Sequence, residues 1–591
     1  MTQKKYVSIG LSLLVLAGVI IGTAWWGKAF FTSIQNYRSP LGEAALSPQP
    51  ALAPQSAKVV VVLISGLGYD ASLGLGLPAL EQLRQAGADM AVESTPPTYS
   101  QTAWATLLTG APPETNDAPP VDLPVEDLRP LAVDTIFARA HDAGLQTALL
   151  GAATWRRLIP RNQLDYTYFA AQSGPEADAA IMEAALPVVT NDEVQLALVH
   201  FTQVDLAGQN LGAGSEAYLQ AARQVDAYLG QISQAMDLSR STLMVLADHG
   251  HIPDGGHGGS EVEVVWQPLV VIGESVVPGS YSDIHQTDIA PTIATLLGLG
   301  IPTASQGRIL FELLRLDERS QALAQLALAQ QRLPLAQAYV SQIEGLPAAL
   351  PETIPAGLER AQSALTAGNI SGAFQLALLT QQEADTFILA ARHRQVATGQ
   401  WLRLIIALLI LLVWFMAMWR RRGMQAGSIL IAALLTVGLY HVLYQLQGHS
   451  YSVSALRDFS AWPFDIARRT AVSLLAGGGL VLIMLMLARE EDWLTLLSTG
   501  YGFGLLVTFI FALPLFWAFW QNGLTVTWYL PAILPAFWQI TALLETMIAA
   551  ILGILLPWPI MTLNLFINLT RRRLDESRAR AKSDALPGLH L

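Results

Sequence analysis

Five apolar stretches fill the last third of the chain, near residues 401–419, 426–447, 470–488, 493–520 and 528–568, and another runs from Val7 to about Trp26. A helix needs roughly 20 apolar residues to cross the hydrocarbon of a bilayer. Inside lipid, backbone polar groups must be satisfied within the segment, so stretches without strand-type alternation can cross only as helices. Any water-soluble fold is therefore confined to the middle of the chain. With 52% hydrophobic and 14% charged residues over 591 positions, the composition suits a soluble unit carried on a membrane protein.

Positive charge orients the spans. Lys4 and Lys5 precede the first stretch, and no small-residue cleavage site follows closely, so residues 1–37 read as an uncleaved anchor. Keeping those lysines in the cytoplasm sends the middle of the chain outside. Five returning spans in 399–570 then place Arg420–Arg422 and Arg571–Arg573 on the cytoplasmic side together. This count takes 528–568 as one span preceded by a Pro-rich interfacial piece, Leu530–Gln539. Arg457, Arg468 and Arg469 fall outside, against the rule. Glu545 lies within the last apolar stretch, where an acid is a functional candidate; a place near the outer interface is expected for it. The reading is a multi-pass cell-membrane protein with both termini cytoplasmic, including a tail at 571–591.

Two connectors flank the middle. Residues 38–57 have the Pro, Ala and Ser content of a tether. Residues 311–398 show helical periodicity interrupted at Pro334, Pro347, Pro351 and Gly368-Asn369, a stalk of short antiparallel helices.

Between Lys58 and Leu310 strand and helix patterns alternate. Continuous apolar runs at Val59–Ile64, Gln146–Leu150, Gln195–Phe201, Thr242–Ala247 and Pro268–Ile272 suit strands buried on both faces of a parallel sheet. Helical patterns at Leu77–Ala86, Asp134–Ala143 and Ser215–Met236 separate them, so the fold class is α/β with helices on both faces. A net charge of −12 argues against nucleic acid as a partner. The absence of cysteine excludes disulfides, thiolate metal sites and cysteine nucleophiles.

Ligands of such sheets bind beyond the carboxyl ends of the strands. Three strands end in Ser65-Gly66, Gln203-Val204-Asp205 and Asp248-His249. After the last, a glycine-rich loop returns His257 toward the strand end, giving the carboxylate and imidazole ligands that a zinc-type ion prefers. Alone, the stretch is equally compatible with solvated loop histidines and a turn-forming Asp. Ser100 opens an apolar helix, where free N–H groups and the helix dipole can hold phosphate; a plain N-cap serine is the simpler alternative.

In order, VVVVLISGLGYD, TPPTYSQTAWATLLTGAPPET, VHFTQVDLAGQNLGAGSEAYLQAARQVDAYLG, LADHGHIPDGGHGG and HQTDIAPTIATLLGLGIP resemble the alkaline phosphatase superfamily, in particular its type I phosphodiesterase/nucleotide pyrophosphatase branch. The resemblance covers 58–310 and implies an alkaline phosphatase-like sheet, a Ser or Thr nucleophile and two zinc-like ions, manganese being an alternative. It assigns Ser100 as nucleophile, Asp248 and His249 to the ion that activates it, and Asp205 and His257 to the other. Ser65 and Gln209 stand where the family has Asp and His, so each half-site lacks one ligand. His251 and His200 lie near enough in sequence to compensate. Asn116 falls too early for the family's phosphate-holding Asn.

Two functions remain open. One is an extracytoplasmic metal-dependent phosphodiesterase or phosphotransferase; the layout resembles the ethanolamine-phosphate transferases of glycolipid-anchor synthesis and so implies a lipid-linked phosphate ester as substrate. The other is a catalytically degenerate binding or assembly module.

Overall fold

The computed structural model describes residues 2–42, 44–49, 52–419, 424–456 and 461–584. Arg420–Arg422 and Arg457 lie outside them.

Seven strands make up most of the sheet: β1 (Lys58–Ile64), β2 (Ala88–Glu93), β3 (Gln146–Ala152), β4 (Tyr166–Ala170), β5 (Val194–Phe201), β6 (Ser241–Leu246) and β7 (Trp266–Gly273). Their order is β4-β3-β5-β1-β6-β7-β2, and the short strands Gly279–Ser280 and Ile284–His285 pair with β2. Strands β4, β3, β5, β1 and β6 are mutually parallel. β7 runs antiparallel to both β6 and β2, so the parallel sheet expected from the sequence turns mixed at one edge.

β1 is buried along its whole length because helices cover both faces. Val59, Val61 and Leu63 pack with Trp104, Phe137 and Ile293 on one side. Val60, Val62 and Ile64 pack with Leu83, Ile181 and Leu229 on the other. This double burial explains why the run from Val59 to Ile64 is continuously apolar rather than alternating.

The connectors are more tightly built than their composition implies. Arg38 pairs with Asp117, Ser39 N–H donates to the same carboxylate, and Gln55 and Ser56 N–H both donate to the Leu296 carbonyl. The segment thus follows the surface of the sheet domain. Beyond the sheet, helices span Glu318–Glu344, Thr353–Thr366 and Ile370–Trp419. Pro334 sits inside the first without ending it. The third is 50 residues long and runs without interruption into the first C-terminal apolar stretch. Fully buried Arg332 joins the first and third helices through Asp385.

Among the described residues six helical stretches are long and apolar enough to cross a membrane, one of them near the N-terminus. The 528–568 region forms two successive helices, Ile533–Leu555 and Pro557–Asp584, that meet at Leu556. Both follow the Trp493–Asn522 helix along one antiparallel path. Gly504 approaches Gly553 and Gly500 approaches Pro557, while the Asn564 and Asn568 side chains donate to the Glu490 carbonyl. At that end Lys5 pairs with Asp492, and Arg572 Nε donates to Glu491. The opposite end meets the sheet domain. There Ser454 Oγ accepts from Gly259 N–H at 2.9 Å and donates to Glu261 at 2.8 Å.

Candidate active site and metal centre

The three central strands, β5, β1 and β6, carry the site at their carboxyl ends. β1 leads to Ser65-Gly66, β5 to the Gln203–Leu211 helix bearing Asp205, and β6 to Asp248-His249. The Ser100–Thr109 helix points its N-terminus at the same place, with Ser100 in its first turn.

Ser100 Oγ lies 3.0 Å from His249 Nε2. The Nδ1–H of His249 donates to the Gly250 carbonyl at 3.1 Å, and that of His257 to the Thr98 carbonyl at 3.2 Å. These backbone acceptors fix the tautomers and leave both Nε2 lone pairs facing Asp205. The distances from Asp205 Oδ1 are 3.8 Å to His249 Nε2 and 4.0 Å to His257 Nε2. The His249 and His257 rings stack with centroids 3.9 Å apart. His251 Nε2 donates to Asp205 Oδ1 at 2.9 Å and orients it.

Two glycines make this crowding feasible. Gly66 has φ +81°, and a Cβ there would come within 2.6 Å of Asp205 Cα and 2.8 Å of His251 Nε2. Gly258 has φ +105°, and a Cβ there would meet the Tyr99 ring at 2.6 Å. Left-handed backbone and missing side-chain volume are required together at both positions.

Among the described residues, Asp205, His249 and His257 form a possible metal site, their ligand atoms within 4.8 Å of one another. Tetrahedral zinc with bonds of about 2.0–2.2 Å holds its ligands about 3.4 Å apart, so small side-chain shifts would close this set on one ion. The donor chemistry fits. Burial and the neighbouring His249 charge push His257 well below its usual pKa, favouring the neutral ligand form. Burial opposes ionisation of Asp205, but the His251 hydrogen bond and the three imidazoles outweigh it and hold the carboxyl well below the usual range. Burial also opposes a proton on His249; the charges of Asp248 and Asp205 overcome it and raise the pKa, and the same charges would favour a bound cation.

Asp248 lies beside His249, its Oδ1 3.7 Å from His249 Nε2. It is fully buried, and its oxygens accept from Ser65 Oγ, Trp104 Nε1, Gly66 N–H and His249 N–H at 2.7–3.0 Å. A carboxylate offers about four acceptor positions, and all are used. Asp248 thus braces the β1 and β6 ends behind His249, and the second ion position lacks a free carboxylate there. Ser65 is one of these braces. Gln209 lies half-buried one helical turn beyond Asp205.

Of the two histidines named as compensating, His251 joins the site and His200 does not. His200 accepts from Trp155 Nε1–H at 3.0 Å behind Trp104, and burial lowers its pKa to about 4. Asn116 secures its own loop by donating to Thr106 Oγ1 and the Thr102 carbonyl. Three contributors escaped sequence reasoning. Trp104 holds Asp248, Tyr218 donates to the Gly66 carbonyl at 2.8 Å, and Asp122 accepts from Gln101 N–H at 3.1 Å beside Ser100. Solvent reaches Asp122, yet the surrounding protein wall raises its pKa to about 6. A lone Trp in an apolar helix and an Asp in a Pro-rich loop carry no pattern that would single them out.

Residues 141–255 match the family profile described as "Type I phosphodiesterase / nucleotide pyrophosphatase". This stretch is thus similar to type I phosphodiesterases/nucleotide pyrophosphatases. The chain is also homologous to GPI ethanolamine phosphate transferases. It is 27% identical over 326 residues to "GPI ethanolamine phosphate transferase 2, catalytic subunit" of Homo sapiens, covering 49% of this chain and 33% of that protein. It is 26% identical over 304 residues to "GPI ethanolamine phosphate transferase 3, catalytic subunit" of Mus musculus, covering 49% of this chain and 26% of that protein. The matched regions thus span a third or less of these relatives' length. Among solved structures, murine ectonucleotide pyrophosphatase/phosphodiesterase 5 is similar at 15% identity and TM-score 0.35, covering 41% of this chain and 96% of that one. A protein in the alkaline phosphatase superfamily from Vibrio parahaemolyticus is similar at 18% identity and TM-score 0.36, covering 54% of this chain and 80% of that one.

Proposed function

We propose that this protein transfers phosphoethanolamine, or a closely similar phosphoryl group, from a membrane phospholipid to an acceptor hydroxyl, using Ser100 as nucleophile. The observation that carries the proposal is the meeting of Ser100 Oγ with Asp205, His249 and His257 at the strand ends. The homology to the two ethanolamine phosphate transferases supports this choice of transferred group.

Ser100 Oγ attacks phosphorus and the diacylglycerol oxygen departs with the electrons of its P–O bond, taking up a proton. The phosphoryl group then rests on Ser100 as an ester until an acceptor hydroxyl, or water, displaces it and returns the oxygen to serine. The Ser100 proton passes to water as the oxygen attacks, and the first turn of the Ser100–Thr109 helix offers N–H groups to the phosphoryl oxygens. Asp205, His249 and His257 would hold one divalent ion, zinc by ligand type, which supplies Lewis-acid stabilisation of charge at phosphorus and a lower serine pKa when bound. The sheet domain is assigned to the extracytoplasmic side and both chain ends to the cytoplasm.

The test is turnover of phosphatidylethanolamine by the full-length protein purified without chelator, with metal content measured alongside. About one ion per chain and loss of turnover in Ser100→Ala are expected. A chain without bound metal whose Ser100→Ala variant behaves as the parent would favour the non-catalytic module instead. The observation on that side is the saturation of Asp248 by hydrogen-bond donors, with serine at position 65.

A further inference from the structure

A cavity of about 430 Å³ lies where the sheet domain meets the membrane helices. That volume falls in the range of roughly 300–1,000 Å³ usual for ligand sites. Its walls come from both parts of the chain: Phe31 and Ile34 near the end of the first helix, Trp462 at the start of the Trp462–Leu487 helix, Ile540 on the Ile533–Leu555 helix, and Tyr99 and Asp122 from the sheet domain. The lining is predominantly apolar, and Asp122 supplies its carboxylate. That polar end is also the catalytic end, since Tyr99 immediately precedes Ser100 and Asp122 holds the N–H of Gln101.

We propose that this cavity is the seat of the hydrocarbon of a diacyl phospholipid whose phosphate ester lies at Ser100, admitted sideways from the bilayer. The inference rests on the phosphotransferase reading above and adds where the lipid sits. In a diacyl phospholipid only a glycerol unit separates phosphorus from the acyl chains. A site that attacks this phosphorus therefore needs apolar space beginning directly beside its nucleophile. A glycolipid acceptor with a long polar head can keep its chains in the bilayer, so it makes no such demand. The cavity is continuous with the layer of apolar helices at one end and with the residues flanking Ser100 at the other. That is the path an amphipathic molecule needs and a soluble ester does not.

The test uses the full-length protein in mixed micelles with a phosphatidylethanolamine bearing a photoactivatable diazirine on one acyl chain. Crosslinks are expected on Phe31, Ile34, Trp462 and Ile540. They should fall about tenfold in Ala536→Trp, which fills the cavity, while labelling of the outer bundle surface persists. Ile533→Trp enters the same space and serves if the first variant melts early. In turnover, both variants should lose about tenfold or more on the lipid and keep the parent rate on bis(4-nitrophenyl) phosphate, which has no acyl chain. Crosslinks confined to the outer bundle, unchanged crosslinking in both variants, or equal losses on the two substrates would overturn the assignment. Ser100→Ala separates this from the catalytic reading. It should abolish both turnovers and leave the crosslinks in place. Retained turnover with cavity crosslinks would remove Ser100 as nucleophile and keep the lipid seat.

Discussion

Substituting Ser65→Asp tests the arrangement around Asp248 most directly. Ser65 Oγ donates to Asp248 Oδ2 at 2.7 Å in a region closed to solvent. An aspartate there exchanges a donor for a second negative charge, with carboxylates about 4 Å apart. Two like charges at about 4 Å repel by about 4 kcal/mol at an effective dielectric constant near 20. The lost hydrogen bond to an ionised group adds about 1.5–3 kcal/mol. Repulsion alone corresponds to a melting temperature roughly 8–16 °C lower for a unit of about 250 residues. Melting of the full-length protein in detergent, with chelator, should show at least that fall. The same substitution restores a carboxylate facing Asp248, so zinc should bind the variant at a second position. An ion at 100 times its dissociation constant returns about 2.7 kcal/mol, recovering much of the loss. Metal analysis should then find about two ions per chain, against one in the parent. A variant that melts with the parent in chelator, or that gains nothing from zinc, would refute the view of Asp248 as a buried, donor-saturated anchor beside a dismantled ion position.

Other expectations follow from single contacts. His251→Gln removes the group orienting Asp205 and should weaken zinc affinity by about 10–100-fold, read by competition with a chromogenic chelator, while secondary structure is retained. Trp104→Phe keeps an aromatic ring but removes the donor to Asp248 Oδ2 together with part of the buried indole; a loss of at least about 1.5–3 kcal/mol is expected by denaturant melting, and an unchanged midpoint would count against the bond. Asp122 has its folded pKa raised to about 6 by its protein surroundings. The unfolded chain therefore releases this proton first, so stability should fall as pH rises from about 4 to 6 and level off above. Asp122→Asn should flatten that part of the pH–stability profile.

Much of the sheet is legible in the sequence because burial on both faces leaves its mark. KVVVVLI and VQLALVHF need no partner information to be read as inner strands. β2, ADMAVE, and β4, YTYFA, lack that mark, since small and polar residues interrupt them, and the antiparallel turn at β7 is set by long-range pairing that periodicity does not record. In the helices after the sheet, Pro334 reads as a break, yet the tertiary packing around Arg332 carries the helix through it. The site divides in the same way. Residue type and spacing brought Asp205, His249, His257 and Ser100 to one place. They could not distinguish a ligand from a brace, because Asp248 became one through four donors that arrive from three separate segments. A missing second carboxylate at position 65 was the available hint.

The hydroxyl of Ser454 has a consequence for how this protein should be handled. It belongs to a loop between two apolar helices, yet it grips the backbone two residues after His257 and the carboxylate of Glu261. A tilt of those helices would therefore be felt as a sideways pull on an imidazole of the candidate metal centre. Lipid thickness would reach the candidate site through this contact, and the sheet domain cut away from those helices would be a lever without its fulcrum.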